Sequence, residues 1–374
     1  MQTAARFVRR PGVSAAASHV FASHPLHADA ARVLEAAGLE LDAPAPGDAA
    51  ATPLPRAALL PRAARSAALM CFMPDSIDAD FVGACPHLRV VAGVLRGYDN
   101  FDLPALTAAG AYFTRCEDLL TAPTAELAVG LAIGLGRHVL AGDARVRSGA
   151  FAGWRPELYG AGLDGAVVGI LGLGAVGRAL AERLRGFGVA RILYADADAA
   201  GAAAWARAAA AAWAAGSLPG AAPPPAREAV PDAAALLARA DLVFPLTTLS
   251  AGSRHAVGAS ALAAAQPHAL LVNVGRGGCV DEAAVAAALA AGRLGGYAAD
   301  VFELEDWALE QRPRAIPAAL LAPGARTLFT PHLGSAVASV RRAMEVHAAE
   351  SVVDVLVRGV RPRGAVNQPA APLA

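Results

Sequence analysis

The feature that most constrains this chain is a glycine-rich loop between a predicted strand and a predicted helix. Residues such as Val167 and Ile170 are β-branched, which is typical of a strand, and they lead directly into Gly172-x-Gly174-x-x-Gly177. In such a loop the first glycine makes a tight turn and the second lets the backbone approach a pyrophosphate. The third lets the following helix pack against the strand. The stretch therefore predicts a strand–turn–helix unit that binds a dinucleotide at the helix N-terminus.

An acidic residue follows the next predicted strand. That strand begins at Arg191 and ends at Asp196, which lies about twenty residues beyond the glycine loop. At this distance a carboxylate accepts a hydrogen bond from the ribose 2′-OH of NAD, and it would repel the 2′-phosphate of NADP. Ala197 supplies no arginine to offset that repulsion. We therefore expect NAD as the cofactor.

Composition excludes several other classes of protein. The chain has 374 residues, enough for about two domains, and 56% hydrophobic with 17% charged residues is typical of a globular protein. The formal net charge is zero, so nothing favours nucleic acid or an anionic membrane as a partner, and no uncharged apolar run is long enough to span a bilayer. The four cysteines show neither a CxxC motif nor a metal-ligand spacing. We therefore expect a reduced, cytoplasmic protein without a metal site.

Alternating strands and helices predict a parallel sheet on each side of the glycine loop. Before the loop, strands are predicted at 19–23, 67–73 and 88–94. After it, they are predicted at 241–244, 269–273, 296–301 and 327–330. Thr124 is predicted to cap a long buried helix that continues to about Val139. Residues 199–229 are rich in alanine and proline and are predicted to form a surface insertion, first helical and then a flexible loop.

Charged and titratable residues follow three of the later strands, where ligands bind in a doubly wound sheet. Arg276 stands between glycines, and we expect it to be exposed and able to offer its fork to an oxyanion. His332 follows a proline at a strand end and is available as an acid or a base. A glutamate beside it would favour the imidazolium, and both Glu303 and Glu305 are candidates. The simpler interpretations are a surface arginine, a structural histidine and a solvated glutamate.

The order of these motifs resembles the D-isomer-specific 2-hydroxyacid dehydrogenase superfamily. A narrower resemblance is to the phosphonate dehydrogenases, NAD-dependent enzymes that oxidise phosphite to phosphate. It is carried by segments between residues 19 and 368 that include FMPDSIDADFVGACPHLRVV, VRSGAFAGW and GGYAADVFELEDWA. The resemblance implies an α/β fold of two doubly wound domains, with a Rossmann NAD-binding domain inserted into a smaller flavodoxin-like substrate domain, in a homodimer. The implied limits are a disordered extension at 1–18, a substrate domain at 19–120 and 334–374, and an NAD-binding domain at 121–333.

The same resemblance implies roles for individual residues. Arg276, Glu305 and His332 would form the catalytic group, which favours Glu305 over Glu303. The residues around the substrate would be Met73, Arg96, Gly97, Trp154, Tyr159 and Arg341. The residues around NAD would be Thr124, Gly172, Gly174, Ala175, Val176, Gly177, Asp196, Leu246, Thr247, Thr248, Val274, Asp300, His332 and Gly334.

Arg96 stands where phosphonate dehydrogenases have a substrate-binding lysine. Arginine keeps the charge but is larger, planar and bidentate. Because the chain contains no lysine, we interpret Arg96 as a compositional replacement that retains the role. The expected reaction is NAD-dependent oxidation of phosphite, a small anion held by Arg276 and Arg96. A 2-hydroxyacid dehydrogenase acting on glyoxylate or hydroxypyruvate would use the same catalytic group. A non-catalytic NAD-sensing regulator would not need it.

Overall fold

The chain forms two units, each built on its own parallel sheet. The computed structural model describes residues 18–45, 53–216 and 225–370. Unit 1 comprises Met1–Leu120 and Val337–Ala374, and unit 2 comprises Thr121–Ala336 between them. The expected extension at 1–18 lies, apart from Ser18, outside the described residues.

Unit 1 has the strand order of flavodoxin-like folds. Its strands are β1 (His19–Ala22), β2 (Glu40–Asp42), β3 (Ala68–Cys71), β4 (Val90–Gly93) and β5 (Tyr112–Thr114). They pair in the order β2-β1-β3-β4-β5, and every pairing is parallel. The three strands predicted here are confirmed, with shorter bounds. They could be predicted because a parallel strand buried on both faces is a near-continuous apolar run in the sequence. β2 and β5 were not predicted, since each is only three residues long.

Unit 2 has the strand order of a dinucleotide-binding fold. Its strands are β6 (Val167–Leu171), β7 (Arg191–Ala195), β8 (Ala226–Ala229), β9 (Leu242–Pro245), β10 (Leu270–Asn273), β11 (Gly296–Ala299) and β12 (Thr327–Phe329). Their order is β12-β11-β10-β9-β6-β7-β8, all parallel. This is the Rossmann order with one further strand at the β11 edge. The order reverses between β6 and β9, so ligands are expected at the carboxyl ends of these strands. The predicted fold class is confirmed.

Helices cover both sheets. They are α1 (Ala28–Ala36), α2 (Arg56–Ala63), α3 (Ala79–Gly83), α4 (Leu103–Ala108), α5 (Thr121–Gly136), α6 (Val139–Arg147), α7 (Ala175–Leu184), α8 (Ala199–Gly216), α9 (Ala233–Leu237), α10 (Ala259–Leu262), α11 (Glu282–Ala290), α12 (Ala318–Leu321) and α13 (Ala338–Val353). In unit 1, Met344, Ala348 and Val352 of α13 lie in the core beside the strands β1 and β3. The C-terminal helix therefore completes the core of unit 1.

The long helix predicted up to Val139 is two helices. α5 ends at Gly136, and His138 then takes a left-handed conformation with φ of 53°, which an α-helix cannot continue. The expected cap is also wrong, because α5 begins at Thr121 and Thr124 lies inside its first turn. Among the described residues no single helix is long and apolar enough to cross a bilayer, although α5 and α6, bent by 61°, satisfy length and composition as a pair. The face of α5 that includes Ala125, Ala128 and Leu131 is buried in the core of unit 2.

The alanine-rich segment is partly integral to the sheet, contrary to the prediction of an insertion that ends in a loop. Its first half is α8, as predicted, and residues 217–224 lie outside the described part of the chain. Residues Ala226–Ala229 form β8, whose backbone pairs with β7. Trp205 lies beneath the guanidinium of Arg178, and Trp213 lies beneath that of Arg185.

Candidate active site in unit 2

The glycine loop has the shape required to hold a pyrophosphate. Gly172 has a φ of +97°, and a Cβ there would lie 2.8 Å from the Leu246 carbonyl carbon. A Cβ at Gly177 would overlap the carbonyl oxygen of Gly172, so the helix packs closely on the loop. Gly174, in contrast, faces open space and begins α7 without a side-chain cap. The first backbone N–H groups of α7 are thus available to an anionic ligand, and the loop fits the phosphates of NAD.

Asp196 is held beside this loop. One carboxylate oxygen accepts a hydrogen bond from the N–H of Leu173 at 2.5 Å, and the other accepts from the N–H of Asp198 at 2.8 Å. The side chain is half-buried at the carboxyl end of β7. Because the carboxylate is fixed next to the pyrophosphate cradle, it lies where the adenine ribose is bound in a dinucleotide fold.

The structure joins His332 to Glu305, not to Glu303. Nδ1 of His332 lies 2.6 Å from Oε2 of Glu305, and 29% and 20% of the two side chains are exposed. The other oxygen of Glu305 accepts the N–H of Phe302 at 2.9 Å, so both oxygens are used. Because an ionised carboxylate only accepts hydrogen bonds, Nδ1 carries the proton and Nε2 is left to act on a ligand.

Asp300 holds the turn that carries His332. It is buried, and its carboxylate accepts hydrogen bonds from the Thr330 hydroxyl at 2.6 Å, the Leu333 N–H at 2.6 Å and the Gly334 N–H at 2.8 Å. His332 itself has a φ of 56°, an unfavourable conformation that these bonds stabilise. Burial raises the pKa of Asp300, and the hydrogen bonds oppose that rise. Asp300 was expected to contact the cofactor. In the structure both oxygens of its carboxylate accept hydrogen bonds from the turn that carries His332.

Arg276 extends from a tight turn after β10. Asn273 brackets that turn, since its side-chain oxygen accepts the Gly275 N–H at 3.1 Å and its NH₂ donates to the Arg276 carbonyl at 3.0 Å. The arginine is half-buried, not exposed as expected. A Cβ at Gly277 would overlap the backbone of Phe302, so the turn carrying Arg276 packs directly against the turn carrying Glu305.

Other predicted cofactor residues line the same edge of the sheet. The Thr124 hydroxyl donates to the Gly334 carbonyl at 3.3 Å, which ties α5 to the turn after β12. Thr247 follows β9, and its hydroxyl lies 3.3 Å from the sulfur of Cys279. Val274 is buried directly after β10. The glycine loop, residues 246–248, Val274 and the His332 turn thus all follow carboxyl ends of strands of unit 2.

The predicted substrate residues of unit 1 gather at the carboxyl edge of its sheet. Met73 follows β3, and Asn100 donates to its carbonyl at 2.9 Å. Arg96 and Gly97 follow β4, with Nη1 of Arg96 3.4 Å from Asp118. The guanidinium of Arg341 lies 5.7 Å from the centre of the Phe72 ring, next to Met73. Trp154 and Tyr159 belong to unit 2, where both are exposed between α6 and β6.

A group of polar residues that no sequence motif indicates lies beside the turn that carries Glu305. Glu303 does not contact His332; it lies 2.6 Å from Nε2 of a second histidine, His255. Arg254 pairs with Asp306 at 2.6 Å, and Glu282 bonds to the backbone of Glu303. The sequence signal that could have indicated this group is Glu282, a charged residue at the start of an otherwise apolar predicted helix.

Known proteins resemble this chain in sequence and in fold. A nucleotide cradle, an acid after β7 and a paired histidine and glutamate at one sheet edge define a dinucleotide-dependent dehydrogenase. The family model for the D-isomer specific 2-hydroxyacid dehydrogenase NAD binding domain matches residues 129–215 and 220–334. A glyoxylate reductase of Thermococcus litoralis is 31% identical over 323 residues, 84% of this chain and 87% of its own. The chain belongs to the D-isomer-specific 2-hydroxyacid dehydrogenase family and is an NAD-dependent oxidoreductase of it.

Solved structures resemble the whole chain. A Thermus thermophilus protein matches with a TM-score of 0.76 and 29% identity over 93% of this chain and 100% of its own. An NADPH-dependent glyoxylate/hydroxypyruvate reductase from Sinorhizobium meliloti, in complex with NADP and malonate, matches with a TM-score of 0.72 and 26% identity. That match covers 93% of this chain and 96% of the other.

These relatives overturn the expected oxidation of phosphite. The curated relatives are named glyoxylate reductases, which supports the 2-hydroxyacid alternative instead. The prediction rested on Arg96 and on segments such as VRSGAFAGW and GGYAADVFELEDWA, since the expected catalytic residues are the same for both reactions. These features were not enough to distinguish a phosphite-oxidising enzyme from a 2-hydroxyacid dehydrogenase. Membership of a dehydrogenase family also argues against the other alternative, a non-catalytic NAD-sensing regulator. The alanine-rich segment, predicted to be an insertion, lies largely within the matched family domain.

Proposed function

We propose that this protein is a glyoxylate or hydroxypyruvate reductase, which interconverts a small 2-oxo acid and the 2-hydroxy acid with NAD. The observation that carries the proposal is the hydrogen bond from His332 to Glu305, on a turn that packs against the turn of Arg276 in an NAD-binding unit. The names of the curated relatives support this choice of substrate. So does the chemistry, because both substrates combine a carboxylate with a carbonyl.

The three catalytic residues divide the work between the two groups of the substrate. The guanidinium of Arg276 binds the carboxylate through its planar fork, which matches two oxygens at once. NADH, when bound, supplies the hydride that adds to the carbonyl carbon. Nε2 of His332 donates a proton to the carbonyl oxygen, which completes the 2-hydroxy acid. Glu305 accepts from Nδ1 throughout, so it stabilises the imidazolium and then keeps the neutral ring in the correct tautomer.

Further substrate contacts are proposed on unit 1. Met73, Arg96, Gly97 and Arg341 are supported by their common position at the carboxyl edge of a parallel sheet. Arg96 and Arg341 would add positive charge that favours an anionic substrate. Trp154 and Tyr159 stay proposals as aromatic contacts to the substrate.

We also propose a homodimer, with a second copy of this chain covering the exposed apolar face of α6 and the segment after it. This face comprises Val139, Leu140, Val146, Phe151 and Leu158, each at least 43% exposed. Several large apolar side chains exposed within one short stretch of chain favour an interaction site in a globular protein. A two-fold pair would bury the same face on both subunits.

The four cysteines bear on the cellular location. Cys71, Cys85, Cys116 and Cys279 are all buried and none forms a disulfide. Burial raises the pKa of Cys116 to about 12, so it stays a thiol at neutral pH. These features support a reducing compartment such as the cytoplasm.

Steady-state assays on the purified protein test the reaction. NADH should be consumed with glyoxylate or hydroxypyruvate, and NAD should be reduced with D-glycerate. His332→Asn should lower kcat by about 10²- to 10⁴-fold, because it removes the proton donor. His268→Asn is the matched control, since His268 is 63% exposed and its Nε2 pairs with Asp241 at 2.8 Å. Turnover of neither oxo acid, or turnover confined to an anion without a carbonyl, would refute the proposal.

A further inference from the structure

Two buried glutamates, Glu282 and Glu303, accept hydrogen bonds from each other's backbone N–H at the turn that carries Glu305. The N–H of Glu303 donates to Oε1 of Glu282 at 2.8 Å, and the N–H of Glu282 donates to Oε2 of Glu303 at 3.1 Å. Only 6% of Glu303 and 1% of Glu282 are exposed. This reciprocal pair joins the start of α11 to the 3-10 turn Glu303–Glu305.

Two basic side chains lie beside the Glu303 member of the pair. Nε2 of His255 is 2.6 Å and Nη1 of Arg254 is 3.9 Å from Oε1 of Glu303. The same arginine pairs with Asp306 at 2.6 Å. Glu282 has no such partner: its Oε2 is buried and accepts no hydrogen bond from the described residues. Basic partners therefore favour a negative charge on Glu303, whereas a charge on Glu282 would lie on a buried oxygen that accepts no hydrogen bond from the described residues.

The surroundings of Glu282 reinforce this division. Burial raises the pKa of Glu282 to about 7, the Glu303 N–H opposes the rise, and the negative charges of Glu303, Asp306 and Glu305 add to it. Tyr297 on β11 faces the same side chain, and its own pKa is raised by burial and by Glu282. Glu282 thus changes charge near neutral pH, where a second buried negative charge would repel Glu303.

The turn held by Glu282 also orients the catalytic group. Glu305 ends the turn, and its two oxygens bind Phe302 N–H and His332 Nδ1. A Cβ at Gly278 would overlap the carboxylate of Asp306, so the segment after Arg276 rests on the same turn. A shift of the Glu303 backbone would therefore move Glu305 relative to His332.

We propose that Glu282 is a positioning residue, whose neutral form fixes the Glu303–Glu305 turn so that Glu305 stays aligned on His332. When Glu282 ionises, its carboxylate repels the carboxylate of Glu303, and the alignment of Glu305 on His332 loosens. The inference rests on the proposed function for its kinetic readout only, since the hydrogen bond between Glu305 and His332 can be observed directly.

The kinetic test compares wild type, Glu282→Gln and Glu310→Gln. Glutamine keeps an acceptor for the Glu303 N–H and cannot ionise, whereas Glu310 is an exposed glutamate of the same unit. Between about pH 6 and about pH 8.5, wild type and Glu310→Gln should lose kcat with a component centred near pH 7. Glu282→Gln should lack that component and keep the wild-type KM for NADH. A pH profile of Glu282→Gln that superimposes on wild type would overturn the proposal.

A spectroscopic test does not require the substrate to be known. The proton on Nδ1 of His332 should give a downfield NMR signal, assigned by its absence in His332→Asn. In wild type the signal should broaden or vanish as pH rises through about 7, and in Glu282→Gln it should persist. If Glu282→Gln fails to fold, the wild-type titration still decides, since a signal unchanged up to about pH 9 would refute the role of Glu282. If no oxo acid is reduced but the signal behaves as described, the proposed function fails and this inference stands.

Discussion

Replacing Asp300 by asparagine tests how the His332 turn is held. Of its two carboxylate oxygens, Oδ1 accepts two hydrogen bonds and Oδ2 accepts the Gly334 N–H. An amide oxygen can replace Oδ1, but the NH₂ would then face the Gly334 N–H, and two donors would oppose each other. A lost hydrogen bond to a charged group costs about 1.5–3 kcal/mol. Because burial already raises the pKa of Asp300 and offsets part of that gain, we expect about 2 kcal/mol of lost stability.

The same change should lower kcat more than it alters binding of NADH. His332 keeps its left-handed backbone only while these bonds hold, and a displacement of about 1 Å can cost about 10²-fold in rate. Urea unfolding and steady-state kinetics with glyoxylate measure the two effects. Asp232→Asn is the control, because Asp232 caps α9 and asparagine caps a helix equally well. An Asp300→Asn enzyme with unchanged kcat and stability but a raised KM for NADH would show that Asp300 acts on the cofactor instead.

Three further predictions address the cofactor, the glycine loop and the assembly. Asp196→Ala should shift the ratio of kcat/KM values from NADH towards NADPH, and an unchanged ratio would contradict the role of the carboxylate. Gly172→Ala should weaken NADH binding, measured by fluorescence titration, and lower the Tm, because its Cβ would lie 2.8 Å from backbone atoms at a φ of +97°. Gly186→Ala, where nothing lies within 4 Å of the new Cβ, should leave both unchanged. Leu140→Glu should convert the proposed dimer to monomers in sedimentation analysis, since Leu140 is 58% exposed on the apolar face of α6. A wild-type monomer, or a dimer of unchanged affinity in the variant, would refute that interface.

Local chemistry made the nucleotide-binding part of the fold predictable. The spacing of Gly172, Gly174 and Gly177 and the position of Asp196 each follow from one steric or electrostatic requirement, so sequence alone indicates them. β8 was missed because Ala226–Ala229 contains two alanines and no β-branched residue, and its strand geometry comes from pairing with β7.

The site was predictable in its residue types and less so in its pairings. Glu303 and Glu305 stand two residues apart at the end of one strand, and only the 3-10 turn decides that Glu305 faces His332. The substrate could not be predicted from the sequence motifs, for a different reason. An arginine fork binds an oxyanion whether it belongs to a carboxylate or to a phosphorus acid. The proposed role of Arg276 therefore does not distinguish the two kinds of substrate.

The position of α13 in the core of unit 1 sets an order of events during protein synthesis. Met344, Ala348 and Val352 pack beside β1 and β3, yet the ribosome makes them after the whole of unit 2. Unit 2 is continuous in sequence and can fold as soon as it emerges, whereas one face of the first sheet is covered only in part, by α1, until the last helix is made. Until α13 arrives, the rest of that apolar face is open to chaperones and to aggregation.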